Sequence, residues 1–255
     1  MLEAYIHEKR KHKGILLMTH IVIGYPSLEA SFETVQAMVT AGVDLMELQI
    51  PFSEPIADGP VILKANQAAL AGGITVQACL DFAREATRTF DIPFLLMSYY
   101  NILFKYGVER FVQTMAVHRL RGAIVPDLPH EEGHDYLAAM QRHALAPIFI
   151  LAPTTGESRM QQIAANARGF IYCVARKGVT GQRTDFSRQL EDYLARCRRA
   201  TALPLALGFG VKDKTDIDFL AGKVDIAVIG TRTIRIVEES GVKAVGPFIG
   251  RLRDN

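Results

Sequence analysis

Val43-Asp44-Leu45-Met46-Glu47-Leu48-Gln49-Ile50-Pro51-Phe52-Ser53-Glu54-Pro55-Ile56-Ala57-Asp58-Gly59-Pro60 is the stretch on which the reading of the whole chain turns. Its first half is a largely apolar run of strand length. Its second half breaks at Pro51, Pro55 and Gly59-Pro60, which read as a loop. A carboxylate inside a strand fit for a core costs free energy unless it is paired or used, and Glu47 sits in such a strand. Asp58 sits in the loop that follows. One acid on a rigid strand and one on a closable loop can form a general acid/base pair. Taken alone, the two residues fit an exposed strand end and a turn opener better than a catalytic pair.

Working outward, the same unit recurs. Apolar runs cover 15–23, 43–50, 92–97, 122–125, 147–151, 169–174, 203–207 and 224–229. Helical spacing follows each of them: about 29–41, then 61–71 with 75–89, 107–118, 131–143, 158–165, 186–200, 212–221, and 231 to about 253. Tyr99-Tyr100-Asn101 reads as the exit loop of the third run. An amphipathic helix near 2–11 precedes the first. Strands that are continuous apolar runs are those of a parallel sheet buried on both faces. Strict alternation of eight strand–helix units in 255 residues, with no linker or low-complexity segment, predicts an α/β fold. The expected architecture is a closed (β/α)8 TIM barrel over 1–255, a single domain with an extra N-terminal helix. An open doubly wound sheet is the alternative. It would usually have fewer strands and often a Gly-x-Gly-x-x-Gly after the first, which this chain lacks.

In such a barrel, chemistry sits where strands end and βα loops begin. Glu47 and Asp58 then lie at the mouth after the second strand, and this placement favours the catalytic reading. Tyr100, Asn101, Asp127, Thr154 and Tyr172 fall near the mouths of other strands. His20, at the mouth of the first, fits either a residue lining the substrate pocket or a hydrogen-bonded wall residue.

Composition narrows the partners. Apolar residues are 49% of the chain, enough for a full core, and the net charge is +2. That balance gives no reason to expect nucleic acid or an anionic membrane. Cys79, Cys173 and Cys197 are widely spaced and make neither a disulfide framework nor a zinc pattern, so a reducing cytoplasm is expected and no metal. The N-terminus has no signal-like apolar core, and no apolar run approaches the roughly 18 residues of a membrane span.

Three late strand exits contain glycine: Gly178-Val179-Thr180-Gly181, Gly208-Phe209-Gly210 and Gly230-Thr231. Glycine lets backbone N–H groups approach an oxyanion, and the helix N-terminus that follows adds a favourable dipole. The loops after the seventh and eighth strands are the recurrent phosphate site of barrels. Together they point to a phosphorylated substrate, held by local geometry rather than by the protein's overall field.

These segments, in order, resemble the tryptophan synthase α-subunit family, the indole-3-glycerol-phosphate lyases. The resemblance is carried by Gly42-Val43-Asp44, Glu47-Leu48 and Pro51-Phe52-Ser53; by Pro55 with Ala57-Asp58-Gly59-Pro60; by Tyr99-Tyr100-Asn101; by Ile124-Val125-Pro126-Asp127-Leu128-Pro129; and by the first two glycine exits. They span nearly the whole chain. The resemblance implies retro-aldol cleavage of indole-3-glycerol phosphate to indole and glyceraldehyde 3-phosphate, late in tryptophan biosynthesis. Glu47 matches the glutamate that relays protons at indole C3 and the side-chain hydroxyl. Asp58 matches the aspartate that stabilises positive charge at the indole nitrogen. Tyr172 matches an active-site tyrosine, and Thr180 the threonine that orders the loop over Asp58. The phosphate would sit against Gly181, Gly210 and Gly230-Thr231, with His20 and Tyr100 as further substrate-side candidates. No cofactor is implied on this chain. Pyridoxal phosphate belongs to a β subunit, which receives indole through a tunnel in an α2β2 heterotetramer. Glu54 and Asn101 would face that partner.

The chain departs from the family pattern in several places. Gln49 stands where Gly is usual and could crowd the pocket; Glu54 replaces Asp; Ile102 replaces Pro; Thr231 replaces Ser but keeps the hydroxyl; Arg232 replaces a small residue; Lys177 precedes the sixth-strand glycine loop. None removes a catalytic group. Three rival readings compete with this one and are weaker. His130-Glu131-Glu132-Gly133-His134 matches His-Glu-x-x-His, yet it lies at a helix start with Gly133 inside and lacks an evident third ligand. Lys177 could be a Schiff-base lysine, or simply a loop cation. The chain could also serve chiefly as an activator of the β subunit with weak lyase activity, against which the intact Glu47/Asp58 pair argues.

Overall fold

A computed structural model describes residues 1–175, 188–208 and 210–253. Eight parallel strands close on one another in sequence order: β1 (Leu16–Val22), β2 (Leu45–Gln49), β3 (Phe94–Met97), β4 (Gly122–Ile124), β5 (Ala146–Leu151), β6 (Ile171–Val174), β7 (Leu205–Gly208) and β8 (Ile226–Ile229). β8 returns to pair with β1, Leu16 opposite Ile226. The sheet therefore has no open edge, and the expected barrel is what forms.

Period-two alternation divides each strand between two cores. Leu16, Met18, Leu45, Leu95, Ile124, Ile148, Ala206 and Ile226 fill the barrel interior. Leu17, Ile21, Met46, Leu48, Leu96, Ile171 and Leu207 face outward, where the helices cover them. Leu2 and Ile6 of α1 (Leu2–Arg10) belong to the inner cluster, so this helix caps the N-terminal end of the barrel. Around that end, Asp225 accepts from the Leu205 N–H and from Arg198, both at 2.8 Å, and Asp44 accepts from the Leu17 N–H at 2.9 Å. Charged groups at this end tie strands together. Chemistry is left to the other.

The outer ring comprises α2 (Leu28–Thr40), α3 (Pro60–Ala71), α4 (Val76–Thr89), α5 (Tyr100–Tyr106), α6 (Val108–Val117), α7 (His134–Arg142), α8 (Glu157–Asn166), α9 (Arg188–Ala200), α10 (Lys214–Leu220), α11 (Thr231–Ser240) and α12 (Val245–Arg253). Several start where a side chain takes an orphan N–H. Ser27 caps α2 through the Ala30 N–H, and Thr75 caps α4 through the Ala78 N–H, contacts worth about 1 kcal/mol each.

Two expectations are corrected. Tyr100 and Asn101 do not form an exit loop; they open α5. The Asp127 carboxylate, from the turn after β4, accepts the Tyr100 N–H at 2.8 Å and so satisfies a free donor at that helix start. The last helix is not continuous to Arg253. Gly241, at φ 76°, ends α11, and a 3-10 turn leads into α12. No helix among the described residues is long and apolar enough to cross a membrane.

Candidate functional site

Glu47 and Gln49 lie on β2 two residues apart, so both face the barrel interior with Leu45. Glu47 is 4% exposed and Gln49 fully buried. Parallel register sets His20 of β1 directly beside Glu47. His20 Nδ1 and Glu47 Oε1 are 2.7 Å apart. Burial works against the His20 cation. The hydrogen bond and charge of Glu47, with the charge of Asp58 adding, outweigh it and raise the imidazole above its ordinary value. His20 is thus a hydrogen-bonded residue of the barrel wall, and its Nε2 remains buried without a partner.

Asp58 is brought to the same place by the loop after β2. Gln49 Nε2 donates to its Oδ2 at 2.6 Å, and the Tyr99 hydroxyl donates to the same oxygen at 3.2 Å. Tyr99 in turn accepts the Ala57 N–H at 3.1 Å and stacks on Phe52 with ring centroids 5.0 Å apart. Asn66, fully buried on α3, accepts the Phe52 N–H at 2.9 Å. The loop is therefore pinned from β2, from α3 and from the start of α5. Burial raises the Asp58 carboxyl above the usual carboxylate range, while His20, Gln49 and Tyr99 pull it back toward ionisation. Gln49, expected to crowd the pocket, holds Asp58 through its amide.

Tyr172, on β6, completes the wall. Its ring packs on the inner cluster, and its phenol is pushed well above its ordinary value by burial and then by the charges of Glu47 and Asp58. Gly208 on β7 makes room for it, because a Cβ there would lie 2.3 Å from Tyr172 Cε1. Tyr100 is not part of this group. Its ring packs on Phe104 and on the outer core, and the tyrosine at the carboxylates is its neighbour Tyr99.

At the turns expected to hold an anion, Gly210 is exposed with φ 65°, a conformation that favours glycine. Gly230 precedes α11, and Thr231 is its half-buried first residue. A Cβ on Gly230 would sit 3.4 Å from His20 Cβ, which places this turn against the carboxylate wall. Lys177, Thr180 and Gly181 lie outside the described residues, as does Phe209. Glu54, on the loop after β2, and Asn101, in the first turn of α5, are exposed, as are Ile56 and Phe104, each 70% exposed. The His-Glu-x-x-His segment holds no metal-like cluster: His130 contacts Arg159, Glu131 pairs with the same arginine, and His134 is exposed. Among the described residues no group of three or more His, Cys, Asp or Glu is placed to hold a metal ion.

The family model for the tryptophan synthase alpha chain matches residues 6–246. Among curated relatives, the tryptophan synthase alpha chain of Syntrophotalea carbinolica is 66% identical, covering 99% of this chain and 100% of its own. That of Desulforapulum autotrophicum is 64% identical with the same coverage. This chain belongs to the tryptophan synthase α-chain family. Solved structures agree. Tryptophan synthase of Mycobacterium tuberculosis superposes with a TM-score of 0.92 at 30% identity, covering 98% of this chain and 96% of that one. The tryptophan synthase complex of Pyrococcus furiosus gives 0.86 at 25% identity, covering 93% and 97%. The carbon–carbon lyase class expected from the sequence stands with the family.

Against the α-chain pattern, two further departures, Arg232 and Ile102, pack away from the two carboxylates. Arg232 lies 3.6 Å from Glu239 and 6.0 Å from the Phe248 ring, on α11 and α12. Ile102 is buried in the outer core. Sequence reasoning missed Tyr99, Asn66 and the bond from Gln49 to Asp58. The one signal available was spacing, since a polar residue two positions from Glu47 must share its face.

Proposed function

We propose that this tryptophan synthase α chain, read as one barrel domain, cleaves indole-3-glycerol phosphate with Glu47 and Asp58 as its catalytic residues. The observation that carries the assignment is Glu47 Oε2. It is a carboxylate oxygen buried inside the barrel without a partner, on a rigid strand, beside the loop that presents Asp58. Leaving such an atom unpaired costs about 1–3 kcal/mol unless a ligand satisfies it.

The chemistry follows from what cleavage requires. Protonation of indole C3 gives an electron-poor indolenine. Removal of the proton from the hydroxyl on the adjacent side-chain carbon then lets the carbon–carbon bond break, its electron pair returning to the ring as the aldehyde forms. Glu47 Oε2 would exchange both protons. Asp58, kept toward ionisation by Gln49 and Tyr99, offers its charge to the indole nitrogen as that nitrogen becomes positive. Tyr172 would wall the indole. The turns at Gly210 and Gly230-Thr231 would take the phosphate, joined by Thr180 and Gly181 on the strength of the family pattern. No step needs a cofactor on this chain. A β subunit bearing pyridoxal phosphate would take the indole in an α2β2 assembly in the cytoplasm, docking on the face that carries Glu54 and Asn101.

The test is cleavage of indole-3-glycerol phosphate by purified protein, alone and with a tryptophan synthase β subunit, beside Glu47→Gln. Loss of a general acid/base group of this kind costs about 10²–10⁴-fold, so cleavage should rise with the partner and fall by that factor in the variant. Folded protein that fails to cleave in both conditions would refute the assignment.

A further inference from the structure

His20 is buried at the reacting carboxylate and has no part in the chemistry just described. Its side chain and that of Glu47 are 4% and 6% exposed, on adjacent rigid strands in direct register. Oε1 can accept from Nδ1–H whether or not Oε2 carries a proton, so the 2.7 Å contact reads as Nδ1–H donating to Oε1. This bond makes the two carboxylate oxygens inequivalent. Oε1 is committed to His20, whereas Oε2 is buried and free. Rotation of the carboxyl would break the bond and strand a second buried oxygen. The Gly230 turn lies alongside the imidazole, where an added Cβ would meet His20 Cγ at 3.7 Å.

From this geometry we infer that His20 is the positioning residue for Glu47: its Nδ1–H fixes the carboxyl so that Oε2 is the oxygen exchanging protons with the substrate. The inference rests on the lyase reading for what Oε2 does, and on the His20–Glu47 pair alone for how Oε2 is presented. Proton transfer needs heavy atoms within hydrogen-bond reach and aligned, and misplacement by about 1 Å costs on the order of 10²-fold in rate. Orientation of an already bound substrate's partner is felt in kcat. A residue that merely lined the substrate pocket would be felt in KM.

The experiment measures kcat and KM for indole-3-glycerol phosphate cleavage in wild type, His20→Phe and His20→Asn. It adds nitrogen NMR of the histidine side chains in wild type and Glu47→Leu. Phenylalanine fills the volume without a donor, while the asparagine amide can reproduce the Nδ1–H. The expected results are a fall in kcat of about 10²-fold in His20→Phe with KM little changed, and recovery of at least about tenfold of that loss in His20→Asn. Wild-type kcat in His20→Phe, a loss confined to KM, or an asparagine variant no better than phenylalanine would each overturn the inference. The NMR separates this failure from failure of the lyase reading, because it needs no turnover. A His20 ring with its proton held on Nδ1 in wild type and released in Glu47→Leu, which has no acceptor, supports the pair, and a ring averaging its tautomers in wild type refutes it.

Discussion

Gln49→Ala removes the shorter of the two side-chain bonds to Asp58 without touching either carboxylate. In the native site the amide donates to Asp58 Oδ2 at 2.6 Å, and Tyr99 donates to the same oxygen at 3.2 Å. A hydrogen bond to a charged group contributes about 1.5–3 kcal/mol. Tyr99 stays in place, so the lower half of that range is the better guide, and about 1.5–2 kcal/mol corresponds to roughly a 10–30-fold loss of kcat/KM. The pH dependence carries a sign. Burial holds the Asp58 carboxyl above its ordinary value and Gln49 opposes that rise, so its removal lets the carboxyl climb further. Activity that needs the ionised form is lost as pH falls through this titration, so the acid limb of the kcat/KM profile should move to higher pH in the variant. The assay is initial-rate cleavage of indole-3-glycerol phosphate across the acid limb for both proteins. A variant within twofold of wild type with an unmoved limb would refute the view that Gln49 holds Asp58, and would return Gln49 to a wall residue.

Gly208→Ala sets a Cβ at 2.3 Å from the Tyr172 ring, so the ring or the strand must shift. Overpacking of this kind costs about 1–3 kcal/mol of stability; the variant should melt earlier and lose cleavage, and double replacement with Tyr172→Ala should restore stability but not activity. Asp225→Asn tests the stability end of the barrel. Burial opposes the Asp225 charge, but the Leu205 N–H, Arg198 and Arg10 outweigh it and hold the carboxyl below its ordinary value. A depressed carboxylate contributes stability above its unfolded value of about 3.9 that disappears as pH falls through the folded one. Urea titrations should therefore show wild type ahead by about 1–2 kcal/mol at neutral pH, after allowance for the partly exposed Arg198, with the gap closing below about pH 4. A gap independent of pH would refute that account.

The sequence by itself determined the barrel, because continuous apolar strands must be buried on both faces and eight of them alternating with amphipathic helices leave few other solutions. It also determined where Glu47 would point. Period two along β2 puts Leu45, Glu47 and Gln49 on one face, and the end of a barrel strand is where loops gather. Helix bounds inside loops were less legible: α5 begins at Tyr100 only because Asp127, 27 residues away, supplies its missing acceptor. Partners were decided by the tertiary structure alone. His20 meets Glu47, and Tyr99 rather than Tyr100 reaches Asp58, because strand register and loop closure bring together residues 27 and 41 positions apart. Local propensity acts over a turn or two of chain, whereas a buried polar atom is satisfied by whatever the closed fold sets beside it, and that is known only once the barrel has closed.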